Sequence, residues 1–177
     1  MKIIAYGSRY GTAKRYAEEL ARRTGIEAMN YEEIDDVNNY ETIIYIGALY
    51  ADGILGLKRT FSKIAPDANR NIVIASVGVT DPADAENIQN IRNNMATQLP
   101  QDIFRQARIF HLRGGIDYGR LCFKHRILLK MMYSRGVKMP DEQKTAEVKA
   151  IIATYNQKAD FVDFNSLDAI EQEIRKY

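Results

Sequence analysis

The sequence predicts an α/β fold, a doubly wound parallel sheet of five strands with helices on both faces. Three observations carry that expectation. Apolar runs of strand length alternate with helix-period stripes along most of the 177 residues. The strand runs are continuously apolar rather than alternating, which suits strands buried on both faces of a parallel sheet. Glycine-bearing loops follow four of the five runs, and strand–helix alternation of this kind builds right-handed βαβ crossovers.

In chain order, Lys2-Ile3-Ile4-Ala5-Tyr6 reads as the first strand and Gly7 to Thr12 as a tight turn. Ala13, Tyr16, Ala17, Leu20 and Ala21 then fall at i, i+3, i+4, i+7 and i+8, the stripe of an amphipathic helix. Ile26 to Asn30 is a short second strand, and Thr42 to Ile46 a strongly β-branched third. Asn71 to Val77 and Arg108 to Leu112 are the fourth and fifth. Between and after them lie four more stripes. Leu57, Phe61, Ile64 and Ala65 form one. Ile88, Ile91, Met95 and Leu99 form another, after the start signal Asp81-Pro82 and Asp84. Val148, Ile151, Ile152 and Tyr155 form a third. Leu167, Ile170 and Ile174 form the last, with Ser166 as its expected N-cap. No repeat or low-complexity linker divides the chain, so residues 1–177 read as one domain, interrupted by a segment at 114–139.

Apolar residues make up 46% and charged residues 27%, enough for a sizeable soluble core. A net charge of +2 gives no electrostatic case for nucleic acid. The single cysteine, Cys122, excludes an intrachain disulfide and suits a reducing compartment. Beside Leu121 and Phe123 it reads as a packing residue. The N-terminus enters a strand without an apolar signal core. No apolar stretch approaches the roughly 20 residues that span a bilayer. The chain therefore reads as cytoplasmic, with contact at a membrane surface left open.

Open parallel sheets bind ligands outside the carboxyl ends of their strands. There the chain places Ser8 to Ala13, Gly47 to Gly53, Ser76 to Asp81 and Gly114 to Tyr118. A strand that feeds a helix through a small-residue loop aims backbone N–H groups outward, a geometry that binds phosphate. Together these loops form a phosphate cradle and a flat slot for an aromatic ring. The first loop lacks both the Walker spacing and the Gly-x-Gly-x-x-Gly fingerprint, which disfavours nucleoside triphosphate hydrolysis and NAD. Asp35-Asp36 reads as a solvated loop rather than a metal site. His111 reads as a structural strand residue, and His125 as a candidate proton relay.

The first loop, the Tyr45 to Gly53 segment (Tyr-Ile-Gly-Ala-Leu-Tyr-Ala-Asp-Gly) and the strand order resemble flavodoxins. The phosphate loop of that family runs Ser/Thr-x-Thr-Gly-x-Thr. Ser8-Arg9-Tyr10-Gly11-Thr12-Ala13 matches at the first hydroxyl and at the glycine. It departs at Tyr10 and at Ala13; the second departure removes a side-chain phosphate donor, with Thr12 beside it and the backbone donors intact. Within the family, the Ser-Arg-x-Gly loop is similar to that of the menaquinone-dependent protoporphyrinogen oxidases. So is Gly114-Gly115-Ile116-Asp117-Tyr118 followed by a basic apolar segment. The similarity spans Met1 to about Met139 and the final helix.

The resemblance implies a flavodoxin-like sheet of order 2-1-3-4-5 and FMN as cofactor. It implies that Ser8, Arg9, Tyr10, Gly11, Thr12 and Ala13 surround the phosphate. It sets Ala48, Leu49, Tyr50 and Ala51 along the isoalloxazine ring. Ser76, Val77 and Gly78 would approach the ring's other side and its pyrimidine edge, and Tyr118 would be a further ring neighbour. Tyr50 can stack its face on the flavin. The flavin carries the redox chemistry, so no side chain is required as general acid or base. The implied activity is an FMN-dependent oxidoreductase that passes electrons from an organic donor to a quinone or similar acceptor. Two alternatives stay open: a flavodoxin-type electron carrier between proteins, and a non-redox binding module. Carriers are strongly acidic to dock on basic partners, and the charge of +2 argues against the first.

Residues 120–139 carry Arg120, Lys124, Arg126, Lys130, Arg135 and Lys138 and no acidic residue. Leu121, Phe123, Ile127, Leu128, Leu129, Met131, Met132 and Tyr133 interleave with them. Four uses fit such a helix: packing on its own domain, lying on an anionic membrane, covering the flavin, or recognising carboxylates of an anionic substrate. It is too short and too charged to span a bilayer.

Overall fold

β1 (Lys2–Gly7) runs through a turn into α1 (Thr12–Thr24), and the short β2 (Ala28–Asn30) follows. β3 (Thr42–Tyr50) turns back as a hairpin with the two-residue β4 (Gly53–Ile54). Then come α2 (Leu57–Phe61), β5 (Asn71–Gly78), α3 (Ala85–Gln98), α4 (Gln101–Gln106) and β6 (Arg108–Arg113). An excursion follows: β7 (Gly115–Asp117), α5 (Phe123–Gly136), α6 (Ala146–Thr154) and β8 (Lys158–Asp160). α7 (Asp168–Ile174) is the last helix. This computed structural model describes residues 1–50, 52–65 and 70–177.

The main sheet has the order β2-β1-β3-β5-β6, with all neighbours in that path parallel. Counting the five parallel strands alone, this is the expected order 2-1-3-4-5. Register runs from Lys2↔Thr42 to Gly7↔Gly47, from Thr42↔Asn71 to Ala48↔Val77, and from Val73↔Arg108 to Gly78↔Arg113.

Strand alternation divides the core in two. Ile3, Ile43, Tyr45, Ile72 and Ile74 face the layer of α2, α3 and α4, against Leu57, Phe61, Ile91, Met95 and Ile103. Ile4, Ile44, Ile46, Val73 and Ala75 face α1 and α7, against Ala13, Tyr16, Ala17, Leu20 and Ile170. Ile4, Ile44 and Leu20 have no exposed surface. Burial of each such side chain contributes about 1.5–3 kcal/mol. α1 ends at a glycine cap: Gly25 sits at φ 71°, and its N–H closes on the Ala21 carbonyl.

Several expectations are corrected. The segment Gly47 to Gly53, read as a loop, is largely strand: β3 pairs with β5 as far as Ala48↔Val77, then reverses through Gly53 at φ 115°. Gly114 to Tyr118, read as a loop at a strand end, contains β7, which pairs antiparallel with β8. α2 stops at Phe61 although its stripe continues; beyond it the Ile64 N–H bonds back to the Phe61 carbonyl and the Ala65 N–H donates to the Asn38 side chain at 3.0 Å. The 3-10 turn before α7 is capped by Asp163, which accepts from Asn165 N–H, and not by Ser166. Cys122 is exposed rather than packed, since it is the residue that caps α5 at the surface. Asp36 is a cap of its own exposed turn, accepting from Asn38 N–H at 2.8 Å. Among the described residues no helix is long and apolar enough to cross a membrane.

Candidate functional site

The carboxyl ends of β1, β3, β5 and β6 open into one cavity of about 750 Å³. Its floor is made of the residues that leave those strands: Ser8, Arg9 and Tyr10, then Ala48, Leu49 and Tyr50, then Val77 and Gly78. The parallel register brings them together, because Gly7 pairs Gly47, Ala48 pairs Val77 and Gly78 pairs Arg113. Gly7 is required by close approach: a Cβ there would collide with the Leu55 carbonyl oxygen.

The loop after β1 turns the chain into α1 at the edge of the cavity. Gly11 takes φ 97°, which lets the chain turn into α1. Its N–H donates to Ser8 Oγ at 3.1 Å, so the Ser8 hydroxyl hydrogen is left to donate outward. Gly11 offers no side-chain cap, and the first turn of α1 carries no acid. The first amides of a helix have no partner within it, and the helix dipole favours negative charge there. Thr12 lines the cavity, whereas Gly11 and Ala13 do not. Ala13 is fully buried, its methyl in the core beneath α1, so only its backbone faces this end of the helix.

A second cluster closes the loop from above. The Tyr10 hydroxyl lies 2.6 Å from His125 Nδ1, on the first turn of α5. Arg9 Nη1 lies 3.4 Å from Nε2 of the same ring. A guanidinium only donates, so in that contact Nε2 is the acceptor. Cys122 N–H also donates to the Tyr10 oxygen, at 3.3 Å. The Tyr50 ring stands 5.6 Å from the His125 ring at a tilt of 32°. Burial, with Tyr10 nearby, pushes the Tyr50 phenol up to about 12, so it stays neutral. Burial and the Cys122 side chain also raise Tyr10. The Cys122 thiol is held below its ordinary value by the His125 backbone N–H and by the Tyr10 hydroxyl.

The structure separates other expected site residues from the cavity. Ser76 points to the α3 side of the sheet, where its Oγ lies 2.7 Å from His111 Nδ1. Among the described residues His111 Nε2 is buried without a partner, and burial followed by the nearby Arg92 lowers the imidazole to about 4. His111 is thus the structural residue that its strand position implied. Tyr118 is 8% exposed and packs edge-on to Tyr155, with centroids 5.5 Å apart, outside the cavity wall. Ala51 lies outside the described residues.

Sequence reasoning missed most of the far wall. His125, Leu129 and Met132 of α5 line it at i, i+4 and i+7, and Ala150, Ile151 and Thr154 of α6 continue it. Asn87, Asn90 and Asn94 supply an amide edge from α3. The period of α5 was visible, but not which element its face would meet. α5 rests on α6 through Tyr133, whose ring stacks on Tyr155 at 3.8 Å and 10°. It also rests through Gly136, where a Cβ would come within 2.7 Å of Val148 Cγ1. The excursion is tied back by β7–β8, by Arg15 Nη1 to Asp160 at 2.8 Å, and by Tyr16. The Tyr16 hydroxyl donates to the Arg113 carbonyl at 2.7 Å and accepts from Asp163 N–H at 3.0 Å.

A family model described as a flavodoxin domain matches residues 3–143. Solved structures that resemble the chain include a protein of Bacteroides uniformis described as a flavoprotein. It shares 13% identity, with 64% of this chain and 90% of that one covered and a TM-score of 0.46. The two-electron reduced flavodoxin of Megasphaera elsdenii shares 15% identity over 64% of this chain and 85% of that one, with a TM-score of 0.40. A variant flavodoxin of Fusobacterium nucleatum bound to flavin mononucleotide shares 13% over 66% and 69%, with a TM-score of 0.38. No curated protein matches.

Proposed function

The chain belongs to the flavodoxin domain family, and on that premise we propose that it is an FMN-dependent oxidoreductase linking an organic electron donor to a quinone-type acceptor. The observation that carries this reading is the single cavity shared by the anion-ready loop at Ser8–Thr12 and the strand ends at Leu49–Tyr50 and Val77–Gly78. The Ser8 hydroxyl, Thr12 and the first amides of α1 would hold the phosphate. Leu49, Tyr50, Val77 and Gly78 would flank the ring, with Tyr50 neutral and able to stack. Ala13 weakens nothing essential in this scheme, because its side chain is in the core and its amide remains at the helix N-terminus.

Bound FMN would supply the redox centre, accepting two electrons from the donor and returning them to the acceptor. The protein positions and encloses. His125, Leu129 and Met132 wall the cavity against water on the α5 side, and the α3 amides face it from the other. A cavity that runs on between α3, α5 and α6 favours an enzyme over a carrier that presents its flavin to a partner protein. Support for the protoporphyrinogen oxidase branch is narrower: the Ser8-Arg9-Tyr10-Gly11 loop, and Gly114 to Tyr118 followed by the basic helix. A cytoplasmic location accords with the exposed, unpaired Cys122.

The visible spectrum of the purified protein, followed by FMN titration, tests the cofactor. The expected result is a flavin absorption band whose fluorescence is quenched on binding. A colourless protein that gains no bound flavin on addition of FMN overturns the proposal. Anaerobic reduction followed by reoxidation with a soluble naphthoquinone then tests the acceptor. Reoxidation that proceeds only with a partner protein would assign the chain as a carrier instead.

A further inference from the structure

α5 presents apolar side chains on two opposite faces. His125, Leu129 and Met132 face the cavity. Phe123, Ile127 and Met131 lie outside the cavity wall and are 77%, 44% and 49% exposed. At about 100° per residue, these three fall within roughly 80° of arc on the outer side of the helix. The same wheel sets Arg126 and Lys130 along one margin of the stripe and Lys124 and Arg135 along the other.

No acidic residue occurs between Tyr118 and Met139. Arg120, Lys124, Arg126, Lys130, Arg135 and Lys138 take part in no ion pair among the described residues. Elsewhere the surface cations are commonly paired: Arg15, Arg22, Arg23, Arg59 and Arg175 all meet carboxylates. An outward phenylalanine, isoleucine and methionine in one stripe are an exposed patch of the kind that marks an interaction surface. A stripe bordered on both margins by unpaired cations matches an interface that is apolar in depth and negative at its surface.

We propose that the outer face of α5 docks on an anionic lipid bilayer. Phe123, Ile127 and Met131 enter the acyl boundary, and Lys124, Arg126, Lys130 and Arg135 meet the headgroups. The helix lies in the plane of the surface; its 14 residues and its charges do not cross it. Its opposite face stays on the cavity, so docking leaves the cavity wall in place. The docking surface uses none of the residues assigned to the cofactor.

Flotation with vesicles tests this directly. The full chain is mixed with vesicles of phosphatidylcholine alone and with vesicles rich in phosphatidylglycerol. Binding to the second and not the first, weakened by added salt, is expected. Two variants separate the two contributions: Phe123→Ser/Ile127→Ser/Met131→Ser, and Lys124→Glu/Lys130→Glu. Each should lower partitioning by about tenfold or more, with an unchanged circular dichroism spectrum because all five positions are exposed. Absence of binding to anionic vesicles overturns the proposal. So does a concentration-dependent dimer that the apolar variant abolishes, which would make the stripe an interface between copies. FMN titration of the same samples keeps the cofactor question separate: flotation without flavin binding would leave the docking surface standing and remove the redox reading.

Discussion

The Tyr10 hydroxyl lies 2.6 Å from His125 Nδ1, joining the loop after the first strand to a helix 115 residues further on. The loop after β1 is therefore braced by the helix that walls the cavity. Tyr10→Phe deletes the brace while keeping the ring. The expected outcome is a loss of about 1 kcal/mol in denaturant unfolding, together with severalfold weaker FMN binding by fluorescence titration. Unchanged affinity would show that α5 holds the loop without this bond.

The Cys122 thiol offers an independent readout of the same contact. It is exposed, and the His125 backbone N–H and Tyr10 hydroxyl favour its thiolate. Its alkylation by iodoacetamide should rise with pH at a lower midpoint than that of a free cysteine. In Tyr10→Phe the midpoint should move upward, toward the ordinary value.

Two glycines at the site fail for different reasons when given a side chain. Gly7→Ala drives a Cβ into the Leu55 carbonyl and toward the Tyr45 hydroxyl, so the strand must shift. Loss of most soluble folded protein is expected, or destabilisation of about 3 kcal/mol or more. Gly11→Ala meets nothing within 4 Å, and only its φ of 97° is strained. Its expected destabilisation is about 1 kcal/mol, and its larger effect should be on FMN affinity. Thermal unfolding of the two variants side by side checks the contrast.

His111 makes stability depend on pH in a defined window. Its folded value lies near 4 against 6.5 for the free imidazole, with burial the main cause. Between those limits the unfolded chain binds the extra proton, so stability falls as pH drops from about 6.5 to about 4. His111→Asn keeps a polar partner for Ser76 and removes this titration. The variant's melting temperature should gain on the natural protein's as the pH is lowered through that window, with the two tracking in parallel above pH 7.

Tyr16 closes the base of the excursion. Tyr16→Phe strips a donor from the Arg113 carbonyl and an acceptor from Asp163 N–H, at a side chain with no exposed surface. A loss of about 1–3 kcal/mol is expected. Native-state hydrogen exchange should show faster exchange in β7–β8 than in the main sheet.

The parallel sheet was legible because its physics is local. Ile3-Ile4-Ala5, Ile43-Ile44-Tyr45-Ile46 and Ile72-Val73-Ile74 are continuously apolar, short and rich in β-branched residues, as suits strands buried on both faces. The helix stripes at Tyr16-Ala17-Leu20 and Ile88-Ile91-Met95 were legible by period. The carboxyl ends of those strands then had to lie together, which placed Ser8, Arg9, Tyr10 and Thr12, Leu49-Tyr50 and Val77-Gly78 on the cavity. What the sequence left open involved contacts across long separations. Ser76 and Val77 are neighbours in the chain, yet strand alternation turns one to His111 and the other to the cavity. Gly115 gives no sign that it pairs with Asp160. The basic segment supported four readings because period alone shows that a helix has faces, not what each face meets. The sheet, its crossovers and the turn after β1 follow from burial pattern and turn chemistry, which are written residue by residue. That α5 turns His125 inward onto Tyr10 and Tyr50 and leaves Phe123, Ile127 and Met131 outside is settled by long-range packing. That choice depends on the packing of Tyr133 and Gly136 against α6, a contact between segments that no local pattern specifies.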